Sequence, residues 1–323
     1  MILEPAPASP VDGGGAIAFG VYAGHTGPID WGPVARRTGR RGALRWKRWH
    51  YVCIAGAAFV AGLAIGDVGW AGTGFAYLFD RRERRLLADF SHLGLPGRSA
   101  RVADRAGQGA LSTFASRGAS LRLERSQEAS WRVAVRGHRF LLTAILEETP
   151  ASGTLCAIAP IEGGVANCTH KTSCLRARGL AHVGEATFDL GDCHATLDHT
   201  SGLLARNTRW HWASASGERI GLNLVEGFNG PIENAVWVDG RIESVGAASF
   251  EMDPAHPLDP WHIRTVDGAV ELTFTPEGQR AEDKNLLFAM SRYVQPIGTF
   301  EGRASGVVVK DLIGVTEQHR ARW

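Results

Sequence analysis

The sequence predicts an all-β protein built as two consecutive antiparallel β-barrel or sandwich domains, and three observations carry this. Short runs that alternate apolar and polar residues recur along the whole chain, bounded by turn residues. The 40 glycines are dispersed rather than periodic, as many turns and bulges require. Helix-period runs are few, and 323 residues suffice for one large β domain or two of ordinary size.

In chain order, residues 1–42 are Pro- and Gly-rich and irregular, with a loop at 24–31 in which His25 is read as bonding its own turn rather than facing a ligand. Residues 44–53 form the first clear strand. Residues 51–79 are apolar enough to tempt a transmembrane reading, but dispersed glycines and Asp67 break the run, so two buried strands, 59–68 and 70–79, are expected instead. A charged hairpin tip follows at 80–85. Further strands are expected at 86–90, 100–102, 109–116, 120–126, 129–136 and 138–147. The segment 147–153 is polar and rich in breakers, which makes it the expected joint between domains 1–150 and 151–323. Beyond it, strand-like runs resume at 154–161, 165–172, 175–183 and 186–190. The remainder reads as strands at 241–252, 261–266 and 270–275, a long polar connection to 286, and strands at 288–296, 298–309 and 312–318. Each half has the strand count of one barrel able to hold a small ligand.

Composition excludes several classes. With 35 basic and 33 acidic residues the net charge is +2, so no polyanion partner is implied, and the basic runs at 36–41 and 81–85 read as solvated turns rather than nucleic-acid sites. No signal peptide is expected from the acidic start, and a cytoplasmic protein with no membrane span follows. The 5 cysteines are odd in number and unpaired in spacing, which argues against a disulfide framework. Cys168, His170, Cys174, Cys193 and His194 contain no CxxC pair and match no structural zinc spacing, so they read as ordinary buried residues. Neither a metal nor an organic cofactor is expected, and no phosphate loop or nucleophile elbow is present.

The stretch 197–240 is the candidate site. Trp210, Trp212 and Trp237 lie there among apolar residues, together with Asp198, His199, Asn223, Glu226, Asn229, Glu233 and Asn234. Such polar groups are costly to bury unless they bond one another, and the mixture suits the polar floor of an apolar pocket. Period two puts Trp210 and Trp212 on one face with Arg209 and His211 on the other. It also separates Leu222, Leu224 and Glu226 from Asn223 and Val225. Asp239-Gly240 is a strong hairpin signal.

The series Asp198-His199-Thr200-Ser201-Gly202, Arg206 to Ala213, Gly221-Leu222-Asn223-Leu224 and Glu233 to Trp237 resembles an uncharacterised bacterial family, domain of unknown function 2804. The run Trp46-Lys47-Arg48-Trp49-His50-Tyr51 and the ending Gly314-Val315-Thr316-Glu317-Gln318-His319 also fit. More distantly, the chain is similar to the lipocalin-like superfamily of carotenoid 1,2-hydratases, AttH-type proteins and lipocalin-like Diels–Alderases. That resemblance implies two lipocalin-like β domains and a site at the Asp-His and WxW pattern. Asp198, His199, Trp210 and Trp212 occupy that pattern here, with Ser201 where the hydratase motif has a tryptophan.

These readings lead to a cofactor-independent enzyme that moves a proton during hydration, dehydration, isomerisation or cyclisation of a lipophilic unsaturated molecule, such as an isoprenoid or polyketide. His199, Glu226 and Glu233 are its candidate acid–base groups. Asp198, Trp210, Trp212, Asn223, Asn234 and Trp237 are its candidate binding residues. The alternative is a non-catalytic binder or carrier of a hydrophobic small molecule, for which an apolar cavity is sufficient. In that case His199 bonds within its own turn and Asn223, Glu226, Glu233 and Asn234 form a buried network that fixes strand register.

Overall fold

The computed structural model describes residues 3–37, 45–286 and 288–323. Of the basic run at 36–41, residues 38–41 lie outside the described residues, as does Leu44 of the first expected strand. Among the described residues the chain forms two antiparallel sheets, of 14 and 9 strands, each curled on itself.

The first sheet begins with β1 (Gly20–Ala23), followed by a short helix, α1 (Gly32–Arg37). Four strands then run back and forth: β2 (Trp46–Ala55), β3 (Phe59–Asp67), β4 (Gly72–Asp80) and β5 (Arg85–Gly94). The apolar region 51–79 is thus the end of β2 followed by two buried strands, and no helix among the described residues is long and apolar enough to cross a membrane. A second meander comprises β6 (Ala100–Arg101), β7 (Leu111–Ser116), β8 (Ala119–Arg125), β9 (Trp131–Gly137) and β10 (Phe140–Glu147). Then come β11 (Gly153–Pro160), β12 (Ala166–Val183), β13 (Ala186–Asp189) and β14 (His194–Leu203). The long β12 joins the meanders: β11 and β10 share one of its edges, and β14, which also pairs β2, takes the other.

This sheet curls until its ends meet. A Cβ on Gly74 of β4 would lie 2.5 Å from the Phe114 ring of β7, so only glycine allows that approach. Burial follows from the curl. β8, β9 and β10 alternate between buried and exposed, with Leu121, Trp131 and Phe140 turned into the core. β2, β3 and β14 are covered on both faces and buried along most of their length; β3 reads as a nearly continuous apolar run, whereas β14 buries Asp198, His199, Thr200 and Ser201.

The second sheet holds β15 (Asn207–Ser216), β16 (Ile220–Gly227), β17 (Ala235–Val238), β18 (Arg241–Ser244), β19 (Ala248–Glu251) and β20 (Trp261–Thr265). Three long strands complete it: β21 (Val270–Leu286), β22 (Ala289–Ala304) and β23 (Val307–Arg322). Asp239 and Gly240 both take positive φ, 48° and 82°, in the tight turn between β17 and β18. The expected polar connection over 276–286 is instead the second half of β21, which resumes pairing with β22 after a register shift at Pro276/Gly278.

The segment 147–153 lies inside the first sheet, between β10 and β11, which both pair β12. The chain passes from one sheet to the other at 204–206. The outer face of β2 to β4, carrying Tyr51, Cys53, Val60, Tyr77 and Phe79, packs on Trp212, Val225, Ile297 and Val315 of the second sheet.

Candidate functional site

A cavity of about 220 Å³ lies between the two sheets. Trp49 and Tyr51 of β2 and Phe75 of β4 wall it on one side, and Trp210 and Trp212 of β15 and Tyr293 of β22 on the other. Trp49 stacks on Trp210 with ring centroids 6.2 Å apart, and Tyr51 meets Trp212 edge-on at 5.6 Å. Leu93 and Leu286 at the rim are exposed.

The polar floor is an ion triad. Lys171 of β12 places its Nζ 2.9 Å from Asp198 and 3.1 Å from Glu233. Asp198 also accepts from Trp49 Nε1 at 3.3 Å and from the Thr169 and Thr200 hydroxyls at 3.2 and 3.0 Å. Glu233 accepts from Asn229 at 2.9 Å. Burial opposes the charge on Lys171, yet the two carboxylates hold its pKa above the ordinary value. Burial raises Glu233, with Lys171 pulling the other way.

A second carboxyl, Glu317 of β23, has no ion pair with a lysine or arginine among the described residues, and the His319 ring lies 3.7 Å away. Trp210 Nε1 donates to it at 2.8 Å and Gln295 Nε2 at 3.2 Å. The oxygen of the same Gln295 amide accepts from Tyr77 at 2.7 Å. Burial pushes the Glu317 carboxyl up to about 7, the Trp210 bond works against this, and the charge of Asp198 adds to the rise. Next to it, burial lowers His319 to about 4, so its ring is neutral, 2.9 Å from the Ser291 hydroxyl. A carboxyl that is half protonated near pH 7 at the edge of an apolar cavity can give a proton to a ligand and take it back.

The structure gathers Asp198, Trp210, Trp212 and Glu233 around this cavity and leaves the other sequence candidates outside it. His199 follows Asp198 on an extended strand and therefore faces the opposite side. It donates from Nε2 to the Ala103 carbonyl at 2.8 Å, inside the first sheet, between the rings of His50 and His170 at 5.2 and 5.9 Å. Glu226 lies on the outer face of β16, half-exposed, paired with His211 at 2.7 Å. Asn223 supports the wall from behind: its oxygen accepts from Trp212 Nε1 at 2.8 Å and its Nδ2 donates to the Glu233 carbonyl at 2.9 Å. Asn234 bonds Val225 and Gly246 backbone groups, and Trp237 bonds the Gly153 carbonyl within a small core.

Arg48, Arg280, Glu282 and Lys284 line the cavity as well; Lys171, Glu317 and His319 line it without having been given a site role from the sequence, Glu317 and His319 having entered only through the family resemblance. Their signal was present but local: Val315, Glu317 and His319 share one face of a strand by alternation. What brings that face to the cavity is the pairing of Trp210 with His319 and of Trp212 with Glu317, across about a hundred residues of chain.

Comparison with curated proteins finds no match. Two solved structures share the fold. One, assigned as AttH from Nitrosomonas europaea, superposes with a TM-score of 0.51 at 14% identity, over 84% of this chain and 91% of that one. The other is kievitone hydratase from Nectria haematococca, with a TM-score of 0.52 at 9% identity, over 86% and 88% of the two chains. At such identities the likeness establishes a shared lipocalin-like fold of two curled antiparallel sheets. Residues 8–323 match the model of the family described as a domain of unknown function, DUF2804, and the chain belongs to that family.

Proposed function

We propose that the protein is a cofactor-independent enzyme that moves a proton during hydration, dehydration, isomerisation or cyclisation of a lipophilic unsaturated molecule held between its two sheets. The observation that carries this is Glu317: a buried carboxyl with a pKa of about 7, without a lysine or arginine ion pair among the described residues, beside an aromatic cavity. In this reading Glu317 is the proton donor and acceptor, and Tyr51, Trp49, Trp210 and Trp212 hold the apolar body of the substrate. Lys171, fixed by Asp198 and Glu233, supplies positive charge for an oxygen or for electron density developing on the substrate. His199, on the far face of β14, has no part in it. The hydratase named among the structural relatives fits this class of chemistry. The five buried, unbridged cysteines suit a reducing, cytoplasmic setting.

The test is a panel of isoprenoid and polyketide alkenes and enones, screened first for a rise in melting temperature and then for turnover and for uptake of solvent deuterium. Glu317→Gln is expected to keep binding and to lose about 10²–10⁴-fold in turnover. Hits that bind the wild type, with no turnover and no deuterium uptake, would favour a carrier instead.

A further inference from the structure

We propose that Cys156, Cys168 and His170 form a binding site for one soft transition-metal cation, Zn²⁺ or Cu⁺, in the first sheet. The three residues are completely buried, and their donor atoms all lie within 4.8 Å of one another. Strand register builds the cluster. His170 sits directly opposite Cys156 in the β11–β12 hairpin, and Cys168 precedes His170 by two residues, so all three side chains leave the same face. Sequence spacing hides this, because Cys156 lies on the preceding strand and no CxxC pair marks it. Cys174 and Cys193, which look closer in the sequence, are elsewhere: Cys174 lies in the bulge of β12 with φ 60°, and Cys193 packs in the core of the first sheet.

The chemistry of the cluster suits such a cation better than it suits an empty core. Two sulfurs and an imidazole are the donor set that Zn²⁺ and Cu⁺ prefer. Usual Zn–S and Zn–N lengths of about 2.3 and 2.0 Å would draw the donors together by only about 1 Å. His170 is held by Thr26, whose amide and hydroxyl lie 3.2 and 3.3 Å from its Nε2. Its Nδ1 has no partner although the ring is 1% exposed, and a cation taken there would exchange the bond that the Thr26 amide donates to Nε2 for one from Nε2–H to the Thr26 hydroxyl. The segment carrying His25 and Thr26 covers the cluster. The His25 ring is only half-buried, stands 5.8 Å from that of His170 and has an unpaired Nδ1, so it marks the side from which a cation would arrive.

The site is independent of the inter-sheet cavity, so it stands or falls apart from the enzyme reading. The test uses the full chain, reduced and stripped with a chelator, then titrated with Co²⁺ alone while thiolate-to-metal absorption is recorded. Zn²⁺ and Cu⁺ are added in separate arms and bound metal is counted by elemental analysis. One cation per chain is expected, with a thiolate band that Zn²⁺ displaces and a higher melting temperature on loading. The double variant Cys174→Ser/Cys193→Ser should keep the band. Cys156→Ser and Cys168→Ser should lose it, and His170→Ala should weaken binding at least tenfold. A wild-type chain without the band overturns the site even if the ligand variants fail to fold. So does a band that vanishes in Cys174→Ser/Cys193→Ser or survives in Cys156→Ser/Cys168→Ser.

Discussion

Glu317 binds its proton more tightly in the folded chain than an ordinary glutamate does, and this has a consequence for stability. Its folded pKa of about 7 lies above the ordinary 4.5 because burial disfavours the carboxylate. Folding therefore takes up a proton between those values, and stability falls as pH rises through that window. The full effect is at most roughly 3 kcal/mol, since each tenfold change in proton affinity is worth about 1.4 kcal/mol. Glu317→Gln removes the titration. The difference in melting temperature should move in favour of the variant from pH 5 to pH 8, and a difference that does not change with pH would show an ordinary carboxyl. At this scale the sequence was a partial guide. Alternation placed Trp210 and Trp212 on one face, and the apolar setting marked Asp198 and Glu233 as buried acids, though it marked the half-exposed Glu226 equally. It also attached importance to His199, which the same alternation turns into the first sheet. The residue type was informative, but its side of the sheet depended on which face the second sheet covers.

Among the elements, β12 carries most constraint, since its two halves pair different strands along one edge. Gly179 lies where β12 runs beside β10, with φ 133°, and a Cβ there would fall 2.1 Å from the Thr143 carbonyl oxygen. Gly179→Ala must therefore strain its backbone and push two paired strands apart. A loss of at least about 2 kcal/mol is expected from the shift in urea midpoint at unchanged slope. A loss under about 0.5 kcal/mol would mean that this pairing tolerates separation. Most strands were legible because alternation and turn residues are local signals, as in β8 to β10. The second half of β21 was not. Pro276 and Gly278 look like a stop, and the residues beyond them are polar. They continue as a strand because Arg280 bonds Asp89 at 2.8 Å and Lys284 bonds Ser91 at 2.6 Å, partners on β5 about 190 residues earlier.

The whole molecule depends on one shared face. The outer side of β2 to β4 is as apolar as a core, with Tyr51, Val60, Tyr77 and Phe79 all at most 6% exposed, and the second sheet is what covers it. The run of apolar residues at 59–79 was readable as two buried strands, whereas the covering of their second face was not, because it comes from strands that begin at residue 207. That also explains why a breaker-rich segment such as 147–153 resembles a joint: it is a sharp turn within one sheet, and composition alone does not distinguish the two. Burying a large apolar side chain contributes about 1.5–3 kcal/mol. Four such residues on this face therefore contribute roughly 6–12 kcal/mol, comparable with the entire stability of a typical domain. The two sheets should accordingly unfold together. Calorimetry of the full chain is expected to show one transition, with calorimetric and van't Hoff enthalpies in agreement. A fragment ending at Leu203 keeps all fourteen strands of the first sheet but uncovers the shared face. It should bind a hydrophobic dye strongly, associate with itself and lose the near-ultraviolet signal of Tyr51 and Tyr77. Were that fragment instead monomeric, with a cooperative transition at the full-length melting temperature, the shared face would contribute little and the sheets would be separate folding units.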